Sequence, residues 1–191
     1  MNTLLGNIGV NDVADCGELT LKALSTFADV VDPARVGVYG GSHGGFLSGW
    51  LIGHPKYKDL FKVACLWNPV LNMNYMAAST DIPDWITACT EDKTLDWNAE
   101  LPVDLLHSRS PISQVSNVTT PSLFIVGDSD LRVPPHQSYQ FYNILKSRGV
   151  PCKLYNYVGD NHSLTKTEHA IDANLNISMW LDKYLVEPFE N

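Results

Sequence analysis

The five residues Gly40-Gly41-Ser42-His43-Gly44 set a serine among glycines at the spacing G-x-S-x-G. A serine hydroxyl is a weak nucleophile until a base takes its proton and a carboxylate fixes that base, so such a serine needs a histidine and an acid elsewhere in the chain. Gly127-Asp128-Ser129-Asp130 and Gly159-Asp160-Asn161-His162 offer both. The chemistry implied is acyl transfer through Ser42, with His162 as base, an aspartate as its orienting partner and the backbone N–H of His43 as a donor to the oxyanion. Asp130 is preferred as the acid, because a loop must travel a few residues beyond its strand to reach a histidine on the next. Asp128 stays open as the alternative. A phosphate-binding loop would need Gly-Lys-Ser/Thr or G-x-G-x-x-G, and neither occurs. The His43 side chain is expected to point elsewhere, while His54, His107, His136 and His169 read as turn, loop and helix residues. With no H-E-x-x-H and no paired cysteines, the residues call for no metal and no cofactor.

A serine exposed in this way has to stand on a sharp strand-to-helix turn. Val36-Gly37-Val38-Tyr39 reads as the strand and Phe46 to Ile52 as the apolar helix, ended by Gly53 and Pro55. The two acid- and base-bearing loops likewise follow strands, Leu123–Val126 and Lys153–Tyr157, so all three groups fall just past a strand's carboxyl end. Their order, Ser then Asp then His, is that of the α/β-hydrolases and excludes the chymotrypsin and subtilisin orders. Around them, Val13, Cys16, Thr20, Leu24 and Phe27 recur at helical spacing from a cap at Asn11 or Asp12 to a close at Asp32-Pro33. Val63–Trp67 reads as a buried strand, Gln137–Lys146 as a helix, and about Thr165 to Tyr184 as a last helix with Ala170, Ala173, Ile177, Trp180, Leu181 and Tyr184 on one face. Continuous apolar strands indicate an α/β fold, a mostly parallel sheet with helices on both faces. Between Asn68 and Ser116 the periodicity weakens, and prolines at 69, 83, 102 and 111 mark a lid or loop-and-helix excursion over the site. Its Met73, Met76, Trp85 and Trp97 read first as core packing and second as the lining of an apolar pocket.

At 191 residues the chain makes one domain, 1–191, by the measure of roughly 150 residues per domain. Hydrophobic residues at 45% and charged residues at 18% are globular proportions. A formal net charge of −8 without a basic cluster speaks against nucleic acid and anionic membranes as partners. No apolar run approaches the roughly 18–20 residues of a membrane span, and Met1-Asn2-Thr3-Leu4-Leu5-Gly6 lacks the basic and apolar regions of a signal peptide. A cytoplasmic location follows as an expectation. Cys16, Cys65, Cys89 and Cys152 show no C-x-x-C spacing and read as reduced core thiols, and without a signal peptide the three N-x-S/T matches at Asn117, Asn161 and Asn176 are chance.

Taken together, several runs give the chain a family likeness. Gly6-Asn7-Ile8-Gly9 followed by Asp12-Val13, Gly40-Gly41-Ser42-His43-Gly44-Gly45-Phe46, Asn68-Pro69-Val70, Ser79-Thr80-Asp81-Ile82-Pro83-Asp84-Trp85, Ser110-Pro111-Ile112, Asp130-Leu131-Arg132-Val133-Pro134 and the late His162 resemble, nearly end to end, the hydrolase domain of the acylaminoacyl-peptidases, within the prolyl oligopeptidase family of serine peptidases. The resemblance implies an α/β-hydrolase fold, a triad at Ser42, Asp130 and His162, and release of an N-acylated amino acid from a blocked peptide, the N-acylated peptide being the substrate partner. G-x-S-x-G alone sets no substrate class, which leaves another esterase or exopeptidase as an alternative within the fold. A different alternative is a catalytically silent fragment that acts as an interaction module.

The front of the chain departs from that family. Its members carry a β-propeller and four strands before the nucleophile strand. Four strands of ~5 residues with connections of ~4 need roughly 36 residues, and only about ten remain before the first helix. The expectation is therefore a truncated hydrolase domain lacking the propeller, the front strands and the second oxyanion donor, with activity lowered by ~10²–10³ for that lost donor. The Val36–Tyr39 strand would then present an open edge, to be covered by Met1–Asp12 folding back, by a second copy of the chain in a homo-oligomer, or by a complementing N-terminal fragment. Size-exclusion chromatography of the chain alone should accordingly show a dimer or poor solubility; a monodisperse monomer with normal peptidase rates would contradict the truncation reading.

Overall fold

A computed structural model describes residues 4–186, so the Met1–Thr3 start read above for a leader lies outside the described residues. Four strands, β1 (Gly37–Gly41), β2 (Val63–Trp67), β3 (Ser122–Gly127) and β4 (Cys152–Tyr157), lie side by side in that order and all run parallel. Register places Gly41 beside Trp67, Trp67 beside Ile125 and Ile125 beside Tyr155, so the loops that follow the strands collect along one edge. Among the described residues seven α-helices accompany them: α1 (Asn11–Thr26), α2 (His43–Gly53), α3 (Met73–Ser79), α4 (Pro83–Glu91), α5 (Val103–Ser108), α6 (His136–Ser147) and α7 (Thr167–Leu185).

The two central strands, β2 and β3, are almost wholly apolar because both of their faces are covered, yet the period of two persists in what each residue meets. Ala64, Leu66, Phe124 and Val126 enter a core with Val13 of α1, Phe46 of α2 and Phe141 and Leu145 of α6. Val63, Cys65, Leu123, Ile125 and Tyr157 face the opposite way, against Ala173, Ile177 and Trp180 of α7. All four cysteines are free, and burial pushes the Cys65 thiol up to about 12. Among the described residues, no helix is long and apolar enough to cross a membrane.

Three features bear on the sequence reading. The first helix stops at Thr26, short of Asp32-Pro33, because the chain beyond it buries nothing: Phe27, Val30 and Val31 are exposed, and the Phe27 carbonyl accepts from both the Val30 and Val31 N–H groups in a turn. The excursion after Asn68 is more ordered than its periodicity suggests, holding α3, α4, α5 and a 3₁₀ turn at Pro111–Asn117. The segment from Leu4 does not cover β1. It lies on the end of α4, where Gly6 N–H donates to Ala88 O at 3.1 Å and Ile8 N–H to Cys89 O at 3.2 Å. Ile8 is fully buried there, which anchors the segment away from the sheet edge. Among the described residues, β1 pairs with β2 alone.

Phe124, fully buried at the centre of β3, packs its ring against Phe141 and Tyr142. Phe124→Ala should cost about 3–5 kcal/mol, read as a lower urea midpoint at unchanged slope.

Candidate active site

Ser42 stands between β1 and α2 with φ 57° and ψ −121°, a backbone conformation that costs a non-glycine residue about 1–3 kcal/mol. Its own N–H donates to Trp67 O at 2.9 Å and its carbonyl accepts from Phe46 N at 3.0 Å, so the turn is gripped from both sides. The flanking glycines are required by close approach: a Cβ on Gly40 would lie 2.2 Å from Gly44 O, and one on Gly45 would lie 2.6 Å from the Pro69 Cβ. His43 opens α2, and no acceptor among the described residues takes its N–H. A donor in that position sits at the positive end of the helix.

The structure brings Asp130 and His162 together. His162 Nδ1 lies 2.7 Å from Asp130 Oδ2, while the other carboxylate oxygen accepts from the Arg132 and Val133 N–H groups at 2.8 and 2.9 Å. The Asp130 side chain is fully buried, so its direction is set by three donors in a place without water to compete. Asp128 faces elsewhere, accepting from Gly159 N at 2.7 Å. Ser42 and His162 line a single cavity of about 140 Å³ together with His43, and no hydrogen bond joins Ser42 to the imidazole. Contacts of that kind commonly tighten only in a Michaelis complex. Val70, Met76, Ile82, Trp85 and Val133 give the cavity apolar walls, and Arg132 stands at it with its guanidinium in a two-point ion pair to Asp81. Met76 and Trp85 thus line this cavity, whereas Met73 is core and Trp97, largely exposed, borders a different one. A larger cavity of about 570 Å³ runs along the opposite face of α4, past Pro83, Ile86 and Thr90, with no histidine or serine on it.

Two carboxylates important to the site escaped the sequence. Asp12 is not the cap of α1. It lies in the first turn, where Oδ1 accepts from Gly9 and Val13 N–H groups and Oδ2 meets His43 Nε2 at 3.0 Å. The His43 ring, stacked on Phe46 at 5.4 Å, is therefore held against the cavity wall and not turned away from it. Asp160, 1% exposed, accepts from the N–H groups of Asn161, Thr165 and Lys166 and pairs with His169 Nδ1 at 2.9 Å. His169 is thus more than a helix-surface residue. Burial pushes the Asp160 carboxyl up, but the Asn161, His169, Thr165 and Lys166 donors together outweigh it and hold it at about 2. Chain order and the run Gly159-Asp160-Asn161-His162 signalled the loop, but nothing local signals a partner on α7. Among the described residues no group of three His, Cys, Asp or Glu side chains is placed to hold a metal.

The prolyl oligopeptidase family matches residues 1–187. The chain belongs to the prolyl oligopeptidase family. Among curated members, an acylamino-acid-releasing enzyme of Arabidopsis thaliana is 40% identical over 187 residues, 96% of this chain and 24% of its own length. One from Sus scrofa is 36% identical over 188 residues, 96% of this chain and 25% of its own. The chain therefore spans about a quarter of the length of these relatives. Among solved structures, Pyrococcus horikoshii acylaminoacyl peptidase superposes with a TM-score of 0.84 at 23% identity, over 98% of this chain and 30% of that one. A Mycobacterium tuberculosis puromycin-hydrolyzing peptidase gives a TM-score of 0.83 at 24% identity, over 96% and 26%. Both likenesses establish the α/β fold of this family member, a parallel sheet flanked by helices.

Because Asp160 titrates below an ordinary aspartate, near 3.9, its ionisation favours the folded state. Its contribution is fully present above about pH 4 and is lost as pH falls toward 2. Asp160→Asn should therefore lower the melting temperature at neutral pH and flatten its fall between pH 4 and 2, as followed by circular dichroism.

Proposed function

We propose that the chain is the catalytic module of a serine peptidase of acylaminoacyl-peptidase type, with Ser42, His162 and Asp130 as its triad. The observation that carries this reading is the 2.7 Å contact between His162 and a fully buried Asp130, on the same cavity as a serine in a strained strand-to-helix turn. His162 Nε2 takes the Ser42 proton as Oγ attacks the carbonyl carbon of the blocked residue, and Asp130 stabilises the imidazolium. The His43 N–H donates to the tetrahedral oxyanion. As the peptide C–N bond breaks, His162 returns the proton to the departing amine, leaving the N-acylated amino acid esterified to Ser42. Water, deprotonated by His162, then releases it.

The apolar walls support a blocked N-terminus as substrate. A free ammonium would lose its hydration against Val70, Met76, Ile82 and Trp85, whereas an acyl group brings a neutral carbonyl and a methyl. At about 140 Å³ the cavity is below the roughly 300–1,000 Å³ of sites for larger ligands, which favours a single small residue beside Ser42. An esterase or other exopeptidase using the same triad is the alternative reading. The edge of β1, unpaired among the described residues, is proposed as the place where a second copy or a complementing N-terminal fragment adds a strand.

A fluorophosphonate probe should label the chain at Ser42, and Ser42→Ala should abolish the label. In a protein of the relatives' full length, acetyl-alanyl anilide should be cleaved faster than alanyl anilide. Asp130→Asn should lower kcat by ~10⁴ through the wrong imidazole tautomer. Equal rates on the two anilides would remove the substrate assignment, and an unlabelled chain would favour a silent interaction module.

A further inference from the structure

The three loops proposed to carry the triad arise from three different strands, and all of them touch one turn, Trp67–Val70, at the end of β2. The Trp67 carbonyl accepts the Ser42 N–H at 2.9 Å, and the Val70 N–H donates to the Ser42 carbonyl at 3.4 Å. Asn68 makes the other connections. Its Oδ1 accepts from the N–H of Gly127, at the root of the Asp130 loop, at 2.9 Å. Its Nδ2 donates to the carbonyl of His162 itself at 2.8 Å and lies 3.4 Å from that of Asn161. These partners are 59 and 94 residues away in the chain, so the bonds are not those of a local turn satisfying its own backbone.

Several properties single out Asn68. It is 1% exposed, where each lost hydrogen bond leaves a polar group unsatisfied. It holds φ at 39°, a left-handed conformation that asparagine tolerates better than most residues, and its own N–H donates to Ile125 O at 2.8 Å. The side chain must accept toward one loop and donate toward another, both at short reach. A carboxylate has no donor, and glutamine is one methylene too long. An amide of this length meets both demands.

Resting on the serine-peptidase reading, we propose that Asn68 is a positioning residue for the triad: its amide fixes the spacing between the base loop and the acid loop, and its turn ties both to the nucleophile. The ring of His162 is directed by Asp130, but the backbone from which that ring springs is held by Asn68. Displacing such a group by about 1 Å is enough to cost ~10² in rate.

The test uses the intact chain and the second-order rate of fluorophosphonate labelling at Ser42, measured against pH. Asn68→Asp keeps the shape and the acceptor for Gly127 but loses the donor to His162; Asn68→Ala loses both. Each should label on the order of 10²-fold more slowly per folded molecule, with folding verified by circular dichroism at the assay temperature. In Asn68→Asp the added negative charge should also move the pH midpoint of labelling upward. Folded variants that label at the wild-type rate would overturn the proposal, as would a loss wholly explained by the unfolded fraction. A measurement on the unaltered chain holds whether or not the variants fold: the Gly127 amide should exchange with solvent as slowly as that of Ile125, and rapid exchange would show that the Asn68 bond is not formed. A wild-type chain that takes no label removes the peptidase reading itself, a result distinct from equal labelling of wild type and variants.

Discussion

The architecture depends on four strands that run in the same direction and finish together. A parallel pair cannot be joined by a tight turn, so each strand must hand the chain to a helix or an excursion before the next begins. Every such handover from β1 to β4 starts at the same edge, which is why a serine after β1 and a histidine after β4 open onto one cavity, with an aspartate after β3 against the histidine, although the first and last are 120 positions apart. Sheet register sets the coarse spacing; the fine spacing is left to hydrogen bonds among the loops.

Those loops are unusually rich in buried carboxylates and amides. Asp130, Asp160 and Asn68 are each nearly inaccessible, and each is surrounded by donors or acceptors that belong to other segments. In a region with little water, such groups are directional: a carboxylate with several N–H donors has one comfortable orientation, and the backbone that supplies those donors is held as firmly as the side chain. Asp160 illustrates the balance, since the cost of burial is exceeded by its neighbours' donors and the group stays ionised far into acid. The strained Ser42 backbone is tolerated because bonds to Trp67 and Phe46 leave it no easier alternative.

Much of this was legible in the residues. Glycines around Ser42, continuous apolar runs for the strands and the Ser, Asp, His order all express local constraints, and local constraints leave local patterns. The short helices of the excursion left weaker marks, though Pro83 at the start of α4 and Asn72, whose side chain caps α3 by accepting from Asn74 and Tyr75, were available signals. What could not be read were pairings across the chain: Asp12 with His43, Asp160 with His169, and Asn68 with Gly127 and His162. In each case the residue type is ordinary for its position, and only the folded arrangement makes it specific. The end of α1 was misplaced for a related reason, because apolar spacing through Phe27 continues the helical pattern while offering no surface for the next turn to bury against.

The insertion that roofs the cavity also separates β2 from β3, the two central strands, by everything from Asn68 to Pro121. Contacts between neighbours so distant in sequence require closure of a long loop before they return any energy, and folding slows as the average separation of contacts grows. The helices on either side can form early, but the central pairing waits for that closure. Until it occurs, the apolar edges of β2 and β3 stand open, and the cavity has no floor. The roof over Ser42 thus makes assembly of this sheet slow, and the interval before β2 meets β3 is when the chain is most exposed to self-association.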